Sequence, residues 1–269
     1  MLFPVYQCLE TIVMRRIAVT VLVITASLAN LAASFSASAA DIKVLTAGAF
    51  KPVVTALAPE FEKQTGHKVT VNNDTAGGLL KRINDGEAFD LLVLTPTALA
   101  QLTKVGKVVE GSTRTLAKVA IGVAVKKGTP LPDISTVAAF QNALLSARAV
   151  AYIDPEAGGS SGIYLSKLFE KMGIADRIKA KAVLVPGGLV AQRLVNDQAD
   201  IAIHQISEIL AVPGATLVGP IPPEIQNYTV YAGGVSTNAK DATAAKALLE
   251  VLSSPAVRET LKVKGMEAP

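Results

Sequence analysis

Four short runs of small residues stand where this chain could do chemistry: Ala47-Gly48-Ala49, Thr75-Ala76-Gly77-Gly78, Gly158-Gly159-Ser160-Ser161-Gly162 and Pro186-Gly187-Gly188. Each lies after an apolar run of strand character and leads into a segment of helical period. In open α/β sheets, ligands sit beyond the carboxyl ends of strands, against helix N-termini whose free N–H groups and dipole favour anions. Small residues at Gly48, Ala49, Ala76, Gly77 and Gly187 let a ligand touch backbone, and Thr75, Ser160 and Ser161 add hydroxyl donors. One such loop is as well explained by an ordinary turn. Four at equivalent positions point to a shared anion cleft. Lys51 opens the helix after the first run, where it either pairs with a ligand carboxylate or is a solvated surface lysine. His204 follows Asp200-Ile201-Ala202-Ile203 and, with Gln205, is expected at a strand's carboxyl end facing the cleft. It is either a ligand contact or proton-transfer group, or a satisfied structural histidine. His67, in Gly66-His67-Lys68, reads as solvated.

Other chemistries lack their residues. With two histidines, and a single cysteine at Cys8, no His/Cys metal site can be assembled, and no metal or cofactor is expected. No phosphate-binding GxxxxGK[ST] occurs, and no GxGxxG follows a strand. Gly158-Gly159-Ser160-Ser161-Gly162 does match G-x-S-x-G, with Asp176, Asp197 and Asp200 before His204 giving a nominal triad order. A nucleophile elbow needs its serine at a sharp turn straight off a strand, whereas Asp154-Pro155-Glu156-Ala157 intervenes. The net charge of +4 comes from 26 basic and 22 acidic side chains spread along the chain, so no concentrated basic face is expected and nucleic acid is not a partner. Seven Phe, five Tyr and no Trp weigh against a groove that stacks sugars. A small anionic ligand fits better.

The elements that must position these residues alternate between strand and helix. Ile42–Thr46 reads as a strand, followed by a helix with Val53, Val54, Leu57 and Phe61 on one face and a stop at Gly66; then come strand Val69–Val71, helix Leu79–Ile83, strand Leu91–Leu94 and helix Leu99–Leu102. This βαβαβα order predicts a parallel sheet. A continuous apolar strand, Val119–Val125, leads into a second series: helix Val137–Leu145, strand Val150–Ile153, helix Tyr164–Met172, strand Val183–Val185, helix Leu189–Val195 and strand Ile201–Ile203. After the loop Gly219-Pro220-Ile221-Pro222-Pro223 come strand Thr229–Val235 and helices around Leu248–Leu252 and Val257–Leu261. The fold class is α/β with two lobes. Val119–Val125 and Thr229–Val235 are expected to be paired crossover strands, giving a first lobe of 41–122 plus 228–269 and a second of 123–227.

Residues 1–40 read as a secretory signal: Arg15-Arg16, an apolar run from Ile17 to Leu31, and a small-residue end at Ala37-Ser38-Ala39-Ala40. Cleavage is expected after Ala39 or Ala40, and the start at Met1 or Met14. An uncleaved anchor is the competing reading, made poor by Thr20, Thr25, Ser27 and Asn30. Cleavage removes Cys8, so the mature chain would rely on its packed core rather than on disulfides. A periplasmic monomer is expected.

Val44-Leu45-Thr46-Ala47-Gly48-Ala49-Phe50, Phe61-Glu62-Lys63-Gln64-Thr65-Gly66, Phe89-Asp90-Leu91-Leu92-Val93 and Gly162-Ile163-Tyr164 resemble the periplasmic molybdate-binding proteins of ABC importers over nearly the whole mature chain. The resemblance implies a type II periplasmic binding fold, two lobes that close on an oxyanion, and delivery to a membrane permease. It places the family's first-loop serine at Ala49, its second-loop serine near Ala76 or Gly77, its second-lobe backbone donor at Ser161 and its tyrosine at Gln205. Two or three hydroxyls are thereby missing. Gln205 and Lys51 would suit a larger, planar carboxylate, and some proteins of this general likeness are aconitate isomerases. The carrier without turnover is the expected function; for an isomerase, His204 is the candidate base, with Glu208 and Asp154 behind it.

Overall fold

The structure is a computed structural model that describes residues 39–269. The expected signal segment up to Ser38, with Cys8, Met14 and Arg15-Arg16, lies outside the described residues. The path of strands runs β2 (Lys68–Asp74), β1 (Asp41–Ala47), β3 (Leu91–Leu94), β9 (Tyr228–Val235), β4 (Arg114–Lys126), β7 (Ile201–Gln205), β5 (Val150–Ile153) and β6 (Ala182–Val185), with β8 (Ala215–Pro220) paired to β4. β1 is parallel to β2 and β3; β5 is parallel to β6 and β7; β4, β8 and β9 pair antiparallel. Leu91-Leu92-Val93-Leu94 and Val150-Ala151-Tyr152-Ile153 are buried throughout, as continuous apolar runs covered on both faces must be.

β4 joins the two halves. Its residues Arg114–Ala120 pair with β9, and Ile121–Lys126 pair with β7 and β8. Among the described residues β9 pairs with β3 and β4 alone, so the chain returns to the first sheet through the segment before Tyr228. At the change of partners, Ile121 is held by a side chain: Gln226 Oε1 accepts from the Ile121 N–H at 2.9 Å, and Gln226 Nε2 donates to the Ile121 carbonyl at 3.0 Å.

Helices pack on these sheets by their apolar stripes. In α1 (Lys51–Thr65), Val53, Val54, Ala58 and Phe61 are buried, and the helix stops at Gly66, whose φ of 74° suits a residue without a β-carbon. α2 (Ala76–Asn84) buries Leu79 and Ile83 and is capped by Thr75; α3 (Pro96–Lys104) is capped by Thr95. The first sheet's core gathers Phe50, Phe61, Leu92 and Tyr231 with Leu248 and Leu252 of α9 (Ala242–Ser253) and Leu261 of α10 (Arg258–Val263). A separate core under the second sheet holds Phe140 of α4 (Val137–Ser146) with Leu165 and Phe169 of α5 (Ser160–Lys171).

Several elements differ from the sequence reading. β4 starts at Arg114, five residues before Val119, because its polar first residues pair with β9 across a bulge between Thr115 and Ala117. β8 occupies part of the expected 219–223 loop, following β4 through an irregular register at Val123/Ala124. The expected Leu189–Val195 helix shortens to α7 (Gln192–Val195). With α6 as Ala175–Lys179, α8 is Ile206–Ile209; both are too short to show a helical period.

Candidate functional site

Two helix N-termini, one from each sheet, meet at a small chamber. Thr75 and Ala76 bring the start of α2, and Gly159, Ser160 and Ser161 bring the start of α5. Ala47, Gly48, Asn73, Asp74, Ile153, Gly188, His204, Gln205, Glu208 and Tyr231 complete its wall. The chamber measures about 30 Å³, space for about two water molecules. Gly159 caps α5 without a side chain, leaving the first N–H groups of that helix for other partners. The Thr75 hydroxyl accepts from Gly78 N–H at 3.0 Å and donates to the Ala157 carbonyl at 2.5 Å. Beside it, Gly77 N–H donates to the Gly158 carbonyl at 3.1 Å. These bonds hold the two sides of the cleft together. A β-carbon on Gly77 would stand 2.8 Å from Gly158 Cα, so this close approach requires glycine.

One side chain crosses the cleft. Glu208 of α8 reaches Gly48 so closely that a β-carbon there would overlap Glu208 Oε1. Its Oε2 lies 3.2 Å from His204 Nε2. The distance is that of an ion pair, but the two groups are only 5% and 2% exposed, and burial opposes charge on both. Burial lowers His204 to about 3 and raises Glu208 to about 8. The pair is therefore a close contact between an uncharged imidazole and a carboxyl that burial raises to about 8. His204 Nδ1 and the Ser207 hydroxyl have no protein partner.

Gln205 serves a different purpose. Its Nε2 lies 3.0 Å from Ser160 Oγ, 2.9 Å from Tyr231 OH and 3.3 Å from Thr229 Oγ1, so its two hydrogens are shared among three hydroxyls. It ties β7 to α5 and β9 at the floor of the chamber. Asp74, the other carboxylate in the wall, accepts from Thr75 N–H at 2.8 Å and faces Arg82 at 3.3 Å. Among the described residues, no lysine or arginine lines the chamber.

A second cavity of about 510 Å³, here called the mouth, shares Gly48, Asn73, Gly188 and Glu208 with the chamber and is bordered also by Lys51, Thr55, Gln192 and Lys264. Of the residues singled out from sequence, Gly48, Thr75, Ala76, Ser160, Ser161, His204 and Gln205 line the chamber, and Lys51 lines the mouth. Ala49 lies instead in the first core, because the 3-10 turn Gly48–Phe50 that follows β1 faces it inward. Gly77 is taken up by Gly158, and Gly188 rather than Gly187 lines the wall. Asp154 accepts from Glu156 N–H at 3.0 Å, capping its own turn. His67 is half-buried rather than solvated: its Nδ1 accepts from Ala40 N–H at 3.0 Å and its ring stacks on Phe61. Glu208 and Lys264 enter the site from segments outside the four small-residue runs, and Asn73 and Tyr231 from the strands β2 and β9. Among the described residues, no three His, Cys, Asp or Glu side chains cluster to hold a metal ion.

Two α/β lobes closed over a chamber built from helix N-termini define a solute-binding protein. The description "bacterial extracellular solute-binding protein" belongs to the family model that matches residues 42–267, and the chain is a member of that family. It is similar to an aconitate isomerase from a Pseudomonas species, 33% identical over 232 residues covering 84% of this chain and 87% of the relative. It is also similar to molybdate-binding protein ModA of Azotobacter vinelandii, 27% identical over 240 residues, 86% of this chain and 91% of the relative. The solved Azotobacter vinelandii periplasmic molybdate-binding protein matches with a TM-score of 0.73 at 20% identity, covering 85% of this chain and 99% of that one, a likeness of fold. Among the described residues, no helix is long and apolar enough to cross a membrane.

Proposed function

We propose that this chain is a periplasmic, monomeric solute-binding protein that has a catalytic use for its cleft: it binds aconitate and interconverts its cis and trans forms. The observation that carries this reading is the Glu208–His204 pair buried in the chamber wall. An ionised carboxylate repels an anion held beside it, whereas an isomerase needs a base whose affinity for protons matches the working pH. The carboxyl raised to about 8 meets that need. Similarity to an aconitate isomerase along most of the chain supports the same choice.

In the proposed reaction, the Glu208 carboxylate takes a proton from the allylic methylene carbon of aconitate. The C–H bond breaks, an O–H bond forms, and the electron pair spreads over the allylic carbons and their carboxylates. Glu208 then returns the proton to the former vinylic carbon, and the double bond moves by one position. No net proton is consumed. Because the shifted molecule has the same constitution, the outcome is a change of geometry. His204 acts as a positioning residue that holds Oε2. The N–H groups at the start of α5 receive a substrate carboxylate.

The second reading is capture of a compact oxyanion such as molybdate for an ABC importer, with a membrane permease as partner. It is favoured by the small chamber at paired helix N-termini and by similarity to ModA. Proton NMR of cis-aconitate incubated with the purified protein decides between them. The trans isomer is expected to form, with loss of turnover of at least about a hundredfold in Glu208→Gln, the usual scale for a general base. His204→Ala is expected to slow the reaction less and to shift its pH profile. No turnover by the unmodified protein, together with molybdate binding, would establish the carrier.

A further inference from the structure

The chamber and the mouth differ in charge. The chamber contains two carboxyl groups and no cation, and the mouth contains two lysines. Neither Lys51 nor Lys264 meets a carboxylate among the described residues, whereas Lys43, Lys81, Lys118 and Lys126 each do. Lys264 is also placed by packing. The next residue, Gly265, has φ of 72°, and a β-carbon there would come within 2.7 Å of Ile206, the first residue of the helix that carries Glu208, and 2.8 Å of Leu210, which follows that helix. The last turn of the chain is thus seated on α8, with its lysine beside Glu208 in the mouth. Space imposes the complementary limit, since about 30 Å³ accepts no more than one end of an organic acid.

We infer that the chamber and the mouth are two halves of one site for an elongated polycarboxylate, with one carboxylate at the helix N-termini and another held by Lys51 and Lys264. Glu208, which lines both halves, then lies beside the carbons between the two carboxylates. This assignment rests on the isomerase reading only for the choice of a tricarboxylate; the two-ended recognition is a statement about binding.

Titration calorimetry with tricarballylate, the saturated tricarboxylate that cannot isomerise, tests it. Lys51→Gln and Lys264→Gln are each expected to weaken binding about tenfold or more, the scale of a charge-assisted hydrogen bond. Lys171→Gln, the same charge change at the far end of α5, is expected to leave affinity unchanged. Melting temperatures of the ligand-free variants check that the fold is intact. Absence of tricarballylate binding by the unmodified protein, unchanged affinity in both mouth variants, or an equal loss in Lys171→Gln would overturn the inference. Lysine-dependent binding without aconitate turnover would leave the two-ended site standing and remove the isomerase; turnover with lysine-independent binding would do the reverse.

Discussion

At the scale of single residues, the burial of Glu208 and His204 makes stability depend on pH in two opposite senses. Glu208 has an ordinary value of 4.5 and is raised to about 8 by burial. Between those values the folded chain keeps a proton that the unfolded chain has lost, so stability falls as pH rises through that window. His204 is lowered from 6.5 to about 3; between those values the unfolded chain holds the extra proton, and stability falls as pH drops. The two effects oppose each other between pH 4.5 and 6.5, so melting temperatures of Glu208→Gln are expected to lose the decline from pH 6.5 to 8 and to show, from 6.5 down to 4.5, the acid decline that Glu208 offsets in the unmodified protein. An unchanged decline would place the titrating group elsewhere. The contributors to this site divide sharply in how far sequence exposes them. Thr75, Ser160 and Ser161 stand out because small-residue runs recur four times at equivalent positions after apolar strands, although any one run alone reads as an ordinary turn. Glu208 sits behind His204 in a helix of four residues, where no period marks which face is buried. Lys264 reaches the cleft only because the chain's end folds back onto α8, a contact that no local pattern encodes.

At the scale of elements, closure depends on how near the start of α2 can come to the turn before α5. Gly77→Ala inserts a methyl group against the Gly158 backbone and should keep the cleft open. Small-angle scattering with saturating cis-aconitate should then show no decrease in radius of gyration, while the unmodified protein contracts. Contraction in the variant would mean that the approach of Gly77 and Gly158 does not limit closure. The strands of this chain were legible where they are short, continuously apolar runs, as in Leu91–Leu94 and Val150–Ile153, since a strand buried on both faces reads that way and four residues are too few for a helix of ordinary length. The early part of β4 was not, because Arg114 and Thr115 are exposed and their place is set by β9, more than a hundred residues later. β8 was hidden for a related reason: its half-buried residues and final Gly-Pro look like a loop until β4 supplies the partner.

At the scale of the molecule, each sheet has its own core, and β4 runs through both. Relative motion of the lobes must therefore pass through this strand and through the return segment before β9. Where β4 exchanges β9 for β7 and β8, the amide of Gln226 stands in for a neighbouring strand, bonding both the N–H and the carbonyl of Ile121. A side chain can let go and re-form its bonds without unzipping a ladder. The Ile121 amide is in consequence a natural gauge of lobe motion: hydrogen exchange there should slow when ligand holds the cleft shut, and should quicken in Gln226→Ala, while the amide of Val123 deeper in the strand keeps its rate. Equal behaviour of the two amides would move the pivot away from Ile121. What the chain has at this point is a side-chain hydrogen bond on the strand partner of Gln205, one residue behind the chamber floor, whose exchange is expected to report how the two halves move.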